Sequence, residues 1–146
     1  MKYYVAYGSN LNMNQMAYRC PHSKPYASGV LKDYELLFRG SKTGAYATVE
    51  PKEGSSVPVG VWLIDKQDEK NLDRYEGFPT FYYKKNVIVE TELGEVEAMV
   101  YAMHEDRPIG MPRETYVRTC LEGYDDFDLD KLAFIDAYFG SMLTVQ

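Results

Sequence analysis

Tyr7-Gly8-Ser9-Asn10-Leu11, arriving at the end of an aromatic and branched strand, constrains this chain more than any other run. Lys2 to Tyr7 is written in residue types that a sheet accommodates. Gly8-Ser9-Asn10 then supplies a residue free to adopt positive φ, a small hydroxyl, and an amide able to bond its own backbone. A helix is expected to follow at once. A strand, a tight turn and a helix N-terminus in succession leave several backbone N–H groups aimed at one spot, the arrangement by which proteins hold a carboxylate or phosphate. The same residues also fit an ordinary strand-to-helix connection.

A length of 146 residues suits one domain, 1–146, with a single sizeable core. Sixteen basic against twenty-two acidic side chains give a net charge of -6. That balance argues against nucleic acid or an anionic membrane as the partner, since both need a concentrated positive face. The start, Met1-Lys2-Tyr3-Tyr4-Val5, enters a strand without an apolar leader, and no run is long enough to span a bilayer. A soluble, cytoplasmic protein is the expectation.

Familiar catalytic arrangements fit poorly. Cys20 and Cys120 stand in no metal or redox spacing and read as reduced, partly buried thiols. His104-Glu105-Asp106 offers adjacent ligand types, but neighbours point apart and no second histidine lies at helical spacing, so neither a metal nor a cofactor is expected. Ser9 lacks the Gly-x-Ser-x-Gly context of a serine hydrolase, and Gly8-Ser9-Asn10 lacks the further glycines and lysine of a nucleotide-phosphate loop.

Along the chain, Asn12 is the expected cap of a short first helix that Pro21 stops, with Leu11 and Met16 as its hydrophobic staple. Gly29–Leu31 and Tyr34–Phe38 read as two strands, Ala45–Val49 as a third, and Pro51–Pro58 as a turn-rich insertion. Val59–Ile64 is apolar almost throughout, so both its faces should be covered. Asp65 caps a helix that ends at Glu76-Gly77, with Leu72 and Tyr75 facing the core. Tyr82–Val89 and Glu95–Met103 form a hairpin. Pro112 opens a helix ended by Gly123, and a last helix carries Leu129, Leu132, Ala133 and Ile135. Six or seven short strands interrupted by helices predict an α+β fold: a small, mostly antiparallel β-barrel, closed or nearly so, flanked by helices.

Glu76 is the carboxylate with most chemical interest. It ends a helix whose apolar side faces the core, so an unpaired carboxylate there holds its proton tightly, as a general base near neutral pH must. Negative charge at a helix C-terminus also opposes the helix dipole. A half-exposed glutamate paired with Arg74 or a nearby lysine is the competing reading.

Taken in order, Tyr7-Gly8-Ser9-Asn10-Leu11, Leu72-Asp73-x-x-Glu76-Gly77, Tyr83, Val87 and Val89, Pro112-x-x-x-Tyr116 and Gly123 resemble the gamma-glutamylcyclotransferase family (gamma-glutamylamine cyclotransferase and AIG2-like proteins). The likeness runs from about residue 3 to 129. It implies a small β-barrel with flanking helices, in agreement with the reading above. It also implies that Tyr7, Gly8, Ser9, Asn10 and Leu11 hold the gamma-glutamyl group through backbone amides, and that Glu76 is the catalytic acid–base. Tyr83 and Tyr116 become candidate substrate-binding residues beside them. Where many members carry Leu-Pro and then tyrosine, this chain keeps Leu129 but has Asp130 and Ala133, which draws attention to the pocket wall.

The implied activity is release of 5-oxoproline and a free amine from a small L-gamma-glutamyl amine or gamma-glutamyl amino acid, by attack of its own α-amino group. The alternative is a non-catalytic, small-metabolite-binding or regulatory module using the same anion-binding loop. The leaving group and the oligomeric state are left open by the residues.

Overall fold

The computed structural model describes residues 1–145; Gln146, the last position of the expected domain, lies outside them. Five strands close a barrel: β1 (Lys2–Ala6), β2 (Lys24–Arg39), β3 (Tyr46–Ile64), β4 (Tyr82–Thr91) and β5 (Gly94–Met103), in the order β1-β3-β2-β4-β5. All pairs are antiparallel except the seam, where Tyr4 of β1 meets Met99 of β5 in parallel. Closure removes the unpaired strand edges that an open sheet leaves exposed. Four helices flank it: α1 (Met13–Arg19), α2 (Lys66–Glu76), α3 (Glu114–Asp126) and α4 (Leu132–Thr144). Among the described residues, no helix is long and apolar enough to cross a membrane.

The strand count differs from the sequence expectation for one local reason. Gly29–Leu31 and Tyr34–Phe38 belong to a single strand, β2, and Pro51–Pro58 belongs to β3 rather than to a loop. Lys32 pairs with Ser56 and Tyr34 with Pro51, so the extra residues between them form an irregularity carried by both strands. Asp33 sits there at φ 62°, and its Oδ1 accepts from the Gly54 N–H at 3.0 Å. That side chain supplies the bond the ladder loses, and the strands bend together instead of ending.

Val57, Val59, Val61, Trp62 and Ile64 are buried in β3 and join Val5, Phe38, Val49, Val89 and Val100 in one core. The helix signals divide more finely. Asn12 caps α1 by accepting from the Gln15 N–H. Asp65 and Asp68 form a reciprocal capping box at the start of α2, where the Asp65 carboxylate also meets the His22 ring. At the other end Gly77, φ 64°, adopts the left-handed conformation that terminates the helix just after Glu76.

Five expectations shift. Leu72 is fully buried, but Tyr75 is half exposed and lies against the Arg19 guanidinium, 4.6 Å from its ring centre. Pro112 stands before α3 and bridges to Ala45, so the helix itself begins at Glu114. Gly123 does not end α3. It is the point where α3 crosses the chain at Leu11-Asn12, and a Cβ there would fall 2.6 Å from the Asn12 nitrogen. In α4 the buried residues are Phe134 and Ser141, while Leu132 and Ile135 face outward. Both cysteines are free and fully buried, not partly so.

Candidate active site

The chain leaves β1 at Ala6 and turns through a single 3-10 turn, Ser9–Leu11, before α1 begins. Inside this turn the Leu11 N–H donates to the Gly8 carbonyl and the Asn12 N–H to that of Ser9. The N–H groups at its opening are those such a turn leaves without an internal partner. Trp62 Nε1 donates to the Asn10 carbonyl at 2.9 Å, and the Tyr124 hydroxyl donates to that of Tyr7 at 3.2 Å. The barrel wall and α3 therefore grip the turn from two sides.

Asn10 is the hinge of the site. Its side chain is buried, and Arg19 of α1 donates to Oδ1 at 2.8 Å. That bond fixes which way the amide faces. Nδ2 then donates both to the Tyr4 hydroxyl, at 2.9 Å, and to Glu76 Oε1, at 3.2 Å. The acid at the end of α2 and the turn after β1 thus share one side chain, though 66 positions separate them.

Both groups open onto one cavity of about 540 Å³, within the range of small-molecule sites. Tyr4, Tyr7, Tyr82, Tyr101 and Tyr116 line it with Glu76. Their hydrogen bonds divide them. Tyr7 donates to the Tyr101 carbonyl, Tyr82 to the Ala47 carbonyl and Tyr101 to Asp73. Tyr4 and Tyr116 instead accept, from Asn10 and from the Ala47 N–H. Each of these two hydroxyls keeps a proton to offer. The Tyr116 hydroxyl reaches into the turn, 3.0 Å from where a Cβ on residue 8 would stand.

Burial dominates the electrostatics. It pushes the Glu76 carboxyl up from 4.5 to about 7, with the Arg19 charge and then the Asn10 bond holding it back. The phenols of Tyr4 and Tyr7 are driven well above their ordinary value, first by burial and then by the Glu76 charge beside them, so they are neutral donors. Burial likewise raises the Cys20 and Cys120 thiols to about 12. A neutral thiol of that kind is a poor nucleophile. Arg74, the ion-pair partner that the competing reading gives Glu76, makes no salt bridge among the described residues, and neither does Glu76.

Of the residues singled out from the sequence, Tyr7, Gly8, Ser9, Asn10, Glu76 and Tyr116 line this cavity. Leu11 and Tyr83 do not. Leu11 is fully buried beneath the turn, where Gly60 and Gly123 approach it. Tyr83 points to the other face of the strand, its ring 5.1 Å from that of His104, because side chains alternate along β4 and Tyr82 takes the face that lines the cavity. Arg19, Tyr4 and Tyr82 were not singled out. Asp130 and Ala133 lie away from the cavity, and Asp130 instead accepts from the Leu132 N–H at the start of α4.

Residues 4–123 match the protein family described as Gamma-glutamyl cyclotransferase, AIG2-like. The chain belongs to that family. Every cavity residue, from Tyr4 to Thr119, falls inside the matched stretch of this cyclotransferase family. A gamma-glutamylcyclotransferase of Bos taurus is 33% identical over 109 residues, which are 68% of this chain and 58% of that protein. One of Homo sapiens is 32% identical over 101 residues, 64% and 52% of the two lengths. The chain therefore spans a little over half the length of these curated relatives. A solved structure named Gamma-glutamyl cyclotransferase shares the fold with a TM-score of 0.82 at 25% identity, over 97% of this chain and 86% of that one.

Proposed function

We propose that this chain is a cyclotransferase that converts a small L-gamma-glutamyl compound to 5-oxoproline and a free amine. Family membership supports the reaction class. The observation that carries the reading is the Glu76 carboxyl, hydrogen-bonded to the side chain of Asn10 in a turn whose residues Gly8, Ser9 and Asn10 line the same cavity.

The opening N–H groups of the Gly8–Asn10 turn bind the substrate's α-carboxylate or the oxyanion that forms at the γ-carbonyl. Glu76 takes a proton from the α-ammonium, and the freed nitrogen attacks the γ-carbonyl carbon of the same molecule. The new C–N bond closes a five-membered ring as the bond to the departing nitrogen breaks. Two protons leave the α-nitrogen in all and both end on the departing amine, with Glu76 as the carrier. Attack within one molecule needs no protein nucleophile, because holding the substrate bent supplies the proximity. A carboxyl that titrates near 7 is matched to taking and returning a proton at neutral pH.

The test is release of 5-oxoproline from a gamma-glutamyl compound and from its N-acetylated counterpart. The free amine is expected to react and the acetylated one not at all. Glu76→Gln should lower turnover by about two to four powers of ten with the fold kept. Cleavage of the acetylated compound would indicate a simple amidase, and near-wild-type turnover by E76Q would reject Glu76 as the proton carrier.

A further inference from the structure

The charge of the cavity is not that of the chain. The protein is acidic overall, at -6. Yet Arg19, Arg74 and Arg113 all line the cavity, with Glu76 as the one carboxylate among its lining residues. Arg19 is engaged with Asn10. Arg74 lies in the last turn of α2, two positions before Glu76, and lines the cavity with it. Arg113 belongs to the part of the wall formed by the start of α3 and the connection between β2 and β3.

Arg113 immediately precedes α3 and makes no side-chain cap there. Its guanidinium lies along the backbone of Gly44, with Nε 3.6 Å from where a Cβ on that residue would stand. Among the described residues no carboxylate lies within 4 Å of it. Beside it, Tyr46 stands edge-on to Phe81 and Tyr116, with ring centres 6.2 and 5.1 Å apart, and continues the cavity wall in aromatic surface. This part of the cavity thus joins an apolar face to a planar, always-charged donor suited to a carboxylate.

The gamma-glutamyl half of a substrate has nothing for it. This inference rests on the reading proposed above, in the form that seats the α-carboxylate on the Gly8–Asn10 turn and the α-ammonium at Glu76. We infer that Arg113 is a specificity-determining residue that binds a carboxylate carried by the leaving group, beside an aromatic wall that takes its side chain. The preferred substrate is then a gamma-glutamyl amino acid or peptide ending in a free carboxylate, rather than a gamma-glutamyl alkylamine.

A matched pair of compounds tests this: gamma-L-glutamyl-L-alanine and the same molecule with its alanine carboxylate converted to a carboxamide. The wild-type chain should favour the acid in kcat/KM by about tenfold or more, the scale of a charge-assisted bond. Arg113→Gln should collapse that ratio towards one, and Arg113→Lys should restore part of it. Equal use of both compounds by the wild-type chain would overturn the role of Arg113 while leaving the cyclisation intact. So would a ratio that R113Q does not change. If neither compound yields 5-oxoproline, the proposed reaction fails and the leaving-group site with it.

Discussion

Asn10 Nδ2 lies 3.2 Å from Glu76 Oε1 and faces it because Arg19 holds the other end of the same amide. Binding turn, acid and guanidinium are therefore one unit. Removing Arg19 takes away the positive charge that most strongly holds down the rise in the Glu76 pKa, and frees Asn10 to rotate. In Arg19→Met the Glu76 carboxyl should titrate higher, by roughly one pH unit, the low end for loss of a nearby opposite charge. The ionised form is the base, so kcat/KM should rise with pH through about 7 in the wild-type chain. In the variant that limb should move to higher pH. A pH profile of lower height but unmoved limb would show that Arg19 acts on packing alone.

The same raised carboxyl has a cost in stability. Its folded value of about 7 stands above its ordinary 4.5, so the folded state binds the proton more tightly than the unfolded one. Below about pH 4.5 both states are protonated and nothing is lost. Between 4.5 and 7 stability falls as pH rises, and above 7 the loss is complete. Water entering the cavity screens part of it, which leaves roughly 1 to 3 kcal/mol. Glu76→Gln keeps an oxygen for Asn10 and carries no charge to desolvate. Its melting temperature should exceed that of the wild-type chain at pH 8, with the gap closing towards pH 5. A gap independent of pH would mean that Glu76 titrates normally.

The sequence pattern revealed the barrel class and six of the residues that line the cavity, and the residues show why the remainder stayed hidden. Asn12, Asp65 and Gly77 are local signals whose partners lie within a few positions, so the helix ends could be read directly. Glu76 was legible because a carboxylate closing an amphipathic helix is out of place electrostatically. Arg19 was not, because its meaning depends on Asn10 and Glu76 meeting across 66 positions. The choice of Tyr82 over Tyr83 is a matter of strand register, which one residue inverts. Pro51–Pro58 looked like a loop because prolines and Gly54 weaken a strand locally, whereas the bond from Gly54 to Asp33 that keeps it in the sheet is long-range.

Gly123 offers a test of how firmly α3 sets the turn. A Cβ at this position would come within 2.6 Å of the Leu11 carbonyl carbon and the Asn12 nitrogen, which are backbone and cannot rotate aside. Gly123→Ala should therefore push α3 off the turn and destabilise the protein by about 1 to 3 kcal/mol in urea unfolding. Because Tyr116 on the same helix reaches the turn, KM should rise as well. Full stability in this variant would show that the crossing is looser than these distances imply.

The two thiols provide the sharpest contrast with covalent catalysis. Cys120 lies close to the site, its Sγ 4.0 Å from where a Cβ on residue 8 would be. Proximity alone would make it a candidate nucleophile, yet burial raises its thiol to about 12. At pH 7 that leaves roughly one molecule in a hundred thousand as thiolate. Cys20 is raised to the same level, by burial and then by the Asp68 charge. Iodoacetamide at pH 7 should therefore leave the folded chain unmodified by mass spectrometry and fully active. Cys20→Ala and Cys120→Ala should each retain turnover within about tenfold of wild type, far less than the two to four powers of ten expected on losing Glu76. Rapid inactivation with a single alkylated cysteine, protected by substrate, would replace Glu76-assisted cyclisation with a thioester route.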